Sequence, residues 1–148
     1  MNQKLELLRE EKDLTQKDLA KLLGVVPSVY NEWENNKLNI PTKRLYEIAE
    51  FYHINIDYLV GLSNTKVSLY TNKNIDITQV SSKLKEIRNN LNLSMRELAK
   101  KLNTTSSAIS NYENSKNLIL SSFLIELCSL SNYSIDYVLG RSNIKYLK

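Results

Sequence analysis

The chain holds one cysteine and one histidine, Cys128 and His53, the side chains best suited to nucleophilic, acid–base or metal chemistry. A catalytic thiol needs a base within hydrogen-bond reach, and a zinc site needs three or four ligands at characteristic spacing. Neither pattern surrounds these two residues, and the chain has no phosphate-binding loop and no nucleophile elbow. The expectation is no catalytic residue, no metal ligand, no cofactor and no enzymatic activity. The remaining candidates are aromatic and basic. Trp33 and Tyr112 could stack on bases, but each follows Tyr30 or Ile109 by three positions, the spacing of a helix face turned to a core. Lys100-Lys101 is either a phosphate contact or a solvated face.

The elements that must position these residues are written twice. With a constant offset of 79 and no gap, residues 1–64 match residues 80–143 at 21 of 64 positions. Lys4-Leu5 meets Lys83-Leu84, Leu19-Ala20-Lys21 meets Leu98-Ala99-Lys100, and Glu34-Asn35 meets Glu113-Asn114. Ile56-Asp57-Tyr58 meets Ile135-Asp136-Tyr137, and Ser63-Asn64 meets Ser142-Asn143. Such a unit is too long for a solenoid repeat and long enough for a small domain, one that should lean on its twin for stability. Cys128 aligns with Ala49 and is expected to be a buried structural thiol; His53 aligns with Asn132. Two similar domains on one polypeptide form a fused dimer, a device for recognising a two-part partner, of which double-stranded DNA is the commonest.

Each copy predicts five short helices. Leu5 and Leu8 mark the first, over about 2–12. Thr15 with Asp18, and Ser94 with Glu97, carry the capping-box pattern that opens the second, over about 16–23 in the first copy. Gly24 then supplies the positive φ of a tight turn, and Asn103, the next most tolerant residue, takes that place in the copy. The third helix spans about 27–35, with Pro27 at its first position, and about 106–114, capped by Thr105. Pro41 begins a fourth helix carrying Leu45, Ile48 and Ala49, and a short fifth follows Asn55 or Ser134 and ends at Gly61 or Gly140. Tyr46, Tyr52 and Tyr58 are candidates for contact between the copies. The expected organisation is a domain at 1–64, a linker at 65–79 with a short extended stretch at 75–77, a domain at 80–143 and a tail at 144–148. A linker of this length reaches at most about 50 Å, enough for half-sites about 34–36 Å apart on a duplex.

Composition agrees with helices and a reducing compartment. Gly and Pro are scarce, at 3 and 2, and the one cysteine excludes an internal disulfide. Residues 1–12 lack a signal-peptide apolar run, and 118–130 is too short and too polar to span a bilayer, so a cytoplasmic location off the membrane is expected. The net charge of +4 is unevenly spread: 8 basic against 10 acidic residues in 1–64, and 8 against 5 in 80–143. The second copy should therefore grip phosphates harder.

A helix, a short turn with glycine and a second short helix make a helix-turn-helix. Both halves resemble the Cro/lambda-repressor-type family. The residues that carry the resemblance are Leu14-Thr-Gln-Lys-Asp-Leu-Ala-Lys-Leu-Leu-Gly-Val25 with Trp33-Glu-Asn35, and Leu93-Ser-Met-Arg-Glu-Leu-Ala-Lys-Lys-Leu102 with Ala108-Ile-Ser-Asn-Tyr-Glu-Asn114. The closing Ile56-Asp-Tyr-Leu-Val-Gly61 and Ile135-Asp-Tyr-Val-Leu-Gly140 are similar to the family's last helix. The resemblance implies an all-α protein of two tandem five-helix helix-turn-helix domains forming an internal pseudo-dimer. It implies that Ser28, Asn31 and Glu32, and Ser106, Ser107, Ser110 and Asn111, read bases. Gln16, Asn35, Lys37, Lys43, Arg96, Asn114 and Lys116 would meet phosphates. The departures are Val26 in place of a Ser/Thr cap, Pro27 where a polar base-reading side chain often sits, the acidic Glu32 on the groove-facing side, Met95 in place of the polar residue at Gln16, and no glycine after either third helix.

The expected partner is duplex DNA with an imperfect two-part site, bound by one chain in successive major grooves without a small-molecule ligand. The tandem arrangement also resembles small DNA-binding proteins of conjugative plasmids from Gram-positive bacteria, which implies operon repression or binding near a transfer origin. The alternatives are a phage-type or other transcriptional repressor, and a protein-interaction module such as an antitoxin or anti-activator with one DNA-reading domain.

Overall fold

The structure, a computed structural model, describes residues 2–148, and side-chain surroundings from residue 4 onward; Met1 lies outside it. Among these residues the regular elements are ten helices. The first copy contributes α1 (Asn2–Glu11), α2 (Gln16–Leu23), α3 (Pro27–Glu34), α4 (Thr42–Tyr52) and α5 (Ile56–Leu59). The second contributes α6 (Ile77–Asn90), α7 (Met95–Lys101), α8 (Ser106–Glu113), α9 (Ser121–Ser131) and α10 (Ile135–Val138). The expected all-helical fold of two tandem helix-turn-helix units is present.

The local signals act as their chemistry requires. Thr15 and Ser94 accept from the backbone N–H of Asp18 and Glu97, whose carboxylates accept in return from the backbone N–H of Thr15 and Ser94. Gly24 and Asn103 take left-handed conformations at φ 69° and 56° between the paired helices. Asn36 and Ser115, at φ 60° and 61°, end α3 and α8 in the place where the family uses glycine. Pro41 is the residue before α4 rather than its first turn.

In each copy α2 packs on α3 and α1 on α3, or α7 on α8 and α6 on α8. Leu5, Leu19, Tyr30, Leu45 and Ile48 are fully enclosed in one half, and Ile87, Leu102, Leu124 and Leu127 in the other. Trp33 and Tyr112 belong to these cores, as their spacing predicts, and so does Cys128, as its alignment with Ala49 predicts. Lys4 and Lys83 repeat one further contact: each Nζ donates to the carbonyl of Tyr58 or Tyr137 (2.6 and 2.8 Å) and lies over that tyrosine's ring.

The segments beside the repeats carry structure that periodicity does not show. Residues 65–69 fold back so that Asn55 N–H donates to Val67 and Leu69 N–H to His53. Residues 144–148 do the same at Ser134 and Asn132, one residue shorter. The extended stretch expected at 75–77 is absent: Asp76 accepts from the backbone N–H of Thr78 and Gln79 and starts α6 at Ile77. An N-cap aspartate outweighs the β-branched residues around it.

The halves meet through α5 and α10. Asp136 accepts from Ile56 N–H and Asp57 N–H (2.9 and 3.1 Å), and Asp57 accepts from Ile135 N–H and the Ser134 hydroxyl (2.7 and 2.5 Å). Each aspartate thus caps the last helix of the other half. Thr42 adds a buried bond to the Ile119 carbonyl at 2.6 Å. Of the three candidate tyrosines, Tyr46 reaches the other copy, lying against the Arg141 guanidinium. Tyr58 instead serves Lys4, and Tyr52 packs on Phe51.

Candidate nucleic-acid interface

Two helix pairs, α2–α3 and α7–α8, form the candidate interface. Burial of Tyr30 and Trp33 turns the other side of α3 outward. Ser28, Asn31, Glu32 and Asn35 follow that side at helical spacing, Ser28 and Asn35 exposed and the other two half-buried. On α8, burial of Ile109 and Tyr112 does the same for Ser106, Ser107, Ser110, Asn111 and Asn114. Lys37 and Lys116 are exposed in the turns just beyond, and Arg96 is exposed in the first turn of α7. The structure therefore brings the expected base-facing residues together in each copy. Lys43 stands apart, in a groove shared with Tyr46, Ile75 and Leu118.

Beneath each surface lies an ion pair that sequence reasoning missed. Arg9 donates to both carboxylate oxygens of Glu34 (2.7 and 3.2 Å) and to the Leu14 carbonyl (2.9 Å). Arg88 repeats this on Glu113 (2.7 and 3.0 Å) and Leu93 (2.9 Å). The pair ties the first helix to the end of the third and, through the carbonyl, to the start of the second. Its signal was present in the repeat alignment, where arginine and glutamate are identical in both copies.

Above the ion pair the copies differ. In the first, Gln16 donates to Glu34 (2.7 Å), Asn31 donates to Gln16 (2.9 Å) and Asn35 donates to Asn31 (2.9 Å). Burial pushes the Glu34 carboxyl up, but the bonds from Arg9 and Gln16 outweigh it and hold the group below the usual carboxylate range. The chain of amides fixes the orientation of Asn31 from the core outward. In the second copy Met95 packs partly into the core and ends that chain. Asn114 donates only within its own helix, to Ser110 (2.8 and 3.1 Å). The first face is ordered and carries Glu32; the second offers hydroxyls and Asn111 at the position of Glu32, with no acid beside them.

Among the described residues, no cluster of three or more His, Cys, Asp or Glu could hold a metal, and no helix is long and apolar enough to cross a membrane. His53 ends α4 in a left-handed conformation at φ 54° and stacks on Tyr70. Burial, with the Asp57 and Asp136 charges nearby, pushes the Cys128 thiol well up, against any nucleophilic use.

The helix-turn-helix family model matches the chain twice, over residues 5–59 and 84–138. The chain is also similar to an uncharacterized HTH-type transcriptional regulator, YobD of Bacillus subtilis (strain 168), with 30% identity over 73 residues. That match covers 49% of this chain and 65% of the relative, so the chain spans less than two thirds of it. Two family matches in register, each enclosing a capped helix, a left-handed turn and a second helix, place this chain in the Cro/lambda-repressor-type helix-turn-helix family.

Proposed function

We propose that the protein is a sequence-specific regulator of duplex DNA that acts as one chain, placing α3 and α8 in successive major grooves of an imperfect two-part site. What supports this most is the pairing itself. Two helix-turn-helix units with unlike outer faces are joined by reciprocal caps between α5 and α10. An isologous contact of that kind is how a symmetric dimer presents two reading helices. Base edges fall to Ser28, Asn31 and Glu32 in one half and to Ser106, Ser107, Ser110 and Asn111 in the other. Gln16, Asn35, Lys37, Arg96, Asn114 and Lys116 sit where phosphates pass, with Lys43 further off. The resemblance to small proteins of conjugative plasmids supports a role in the control of transfer, either at an operon or near a transfer origin.

Selection of bound duplexes from a random pool by the full chain tests this. The expected product is a two-part motif with unequal halves; a perfect palindrome bound by two chains would overturn the single-chain arrangement. A two-domain binder that neutralises about 6–10 phosphates loses roughly three to five decades of affinity between 50 and 200 mM salt. Lys116→Ala should weaken all sequences alike and lower the salt slope by about one. The acidic Glu32 and the uncapped Pro27 favour a second reading, in which the first half clamps or binds protein. Enrichment of a single half-site would select it.

A further inference from the structure

The contact between the halves is symmetric in backbone and unsymmetric in charge. Arg141, with no side-chain exposure, donates to Asp136 (2.6 Å), Glu50 (2.9 Å) and the carbonyls of Ile54 (2.8 Å) and Leu69 (3.1 Å). At the matching positions of the other half stand Leu62 for Arg141 and Ser129 for Glu50. Asp136 therefore has a guanidinium and Asp57 has none, though both are buried. The charged or titratable groups gathered here are Asp57 from α5, Asp136 from α10, Arg141 beyond it, Glu50 and Tyr46 from α4, Cys128 from α9, and Tyr146 and Lys148 from the returning C-terminal arm. A cavity of about 150 Å³ lies on the pseudo-two-fold, lined by pairs at the repeat offset, Asp57 with Asp136, Thr65 with Ile144 and Val67 with Tyr146. It gives water and protons a place beside both carboxylates.

We infer that the α5–α10 contact is a proton-operated clamp, locked when Asp57 is protonated and loosened when Asp57 ionises against Asp136. With its proton, Asp57 still accepts from Ile135 N–H and keeps its bond with Ser134, and Arg141 has one neighbouring aspartate to balance. Without it, a second buried carboxylate with no guanidinium of its own faces Asp136, whose guanidinium already serves Glu50. Burial and the Asp136 charge push the Asp57 carboxyl up to about 7, against an ordinary 3.8. A group with a raised folded pKa gives its stabilisation in full below its solvated pKa and loses it as pH rises toward the folded value. The clamp is thus tightest in acid, loosens by as much as tenfold per pH unit on the approach to about 7, and is level above that. Because the clamp sets α3 relative to α8, its state governs two-part DNA binding, a consequence that rests on the function proposed above.

Amide hydrogen exchange of the full chain between pH 5.5 and 8.5 tests the clamp, compared with Asp57→Asn and corrected for intrinsic exchange. Asn can accept from Ile135 and donate to Ser134 without charge. In the natural chain, protection at Ile56 and Ile135 should fall about fivefold between pH 6 and 7, about twofold more by pH 8, and then level off. Asp57→Asn should abolish the trend. Protection that is flat with pH, or that behaves alike in Asp57→Asn, would overturn the inference. Duplex affinity measured in parallel separates the two ideas: a titrating clamp on a chain that binds no duplex leaves the clamp standing and removes the DNA reading.

Discussion

The α2–α3 and α7–α8 pairs share a capping box, a left-handed turn and a buried Arg–Glu bridge, yet their outer faces have little in common. In α2–α3 a line of amides runs from Glu34 through Gln16 and Asn31 to Asn35, so the surface is ordered by the core. In α7–α8 one methionine ends that line, and the side chains above it bond only within their own helix. The buried groups hold the backbone in both, which leaves the exposed side chains free to diverge. Duplication thus yields two equal frames and two unequal surfaces.

The sharpest way to break the comparison is to make the halves alike where they meet. Arg141→Leu gives the second half the residue of the first and leaves Asp136 without its guanidinium, while Glu50 keeps its bonds from Thr71 and Asn72. Removing one partner of a buried pair costs about 3–5 kcal/mol, which urea unfolding of the full chain would read; a loss under about 1 kcal/mol would deny Arg141 its role. Next in size is Asn111→Ala, expected to relax base preference in one half-site alone by about 1–3 kcal/mol if its contact is bidentate. Repeating the duplex selection checks it, and a change in both half-sites would mean that the halves are coupled. Gln16→Met transplants the second half's break into the first. It should cost about 1.5–3 kcal/mol, the worth of a hydrogen bond to a charged group, and should release Asn31, seen as a change in its side-chain amide resonances. Smallest is Val26→Thr, which lends α3 the cap that Thr105 gives α8. A gain of about 0.5–1 kcal/mol is expected, read as a rise in Tm.

The starts of α2 and α7 and the turns after them were legible because each is set by a local device repeated in two contexts, Thr15 and Ser94, Gly24 and Asn103; the start of α6 at Ile77, inside the expected linker, was not. Trp33 and Tyr112 were legible as core from spacing alone. Hidden from that kind of reasoning were contacts between residues far apart in the chain. Arg9 and Glu34 are 25 positions apart, and neither breaks a hydrophobic pattern. Arg141 had no twin to draw attention to it, and its four partners converge only after both halves fold. The returning arms at 65–69 and 144–148 are too short to show alternation. Asp57 and Asp136 were visible as identities within the family motif, but identity does not say that each would reach across to the other's helix.

The covalent tie between the halves changes how such a protein would respond to its own abundance. Separate subunits must first find one another, and at low copy number that step makes occupancy of a two-part site rise with the square of concentration. Here the second half is always present, held against the first by the α5–α10 contact. Occupancy would then follow the first power of the number of molecules, and dilution at cell division would halve the signal rather than quarter it. A chain built in this way suits a setting in which few copies must act reliably.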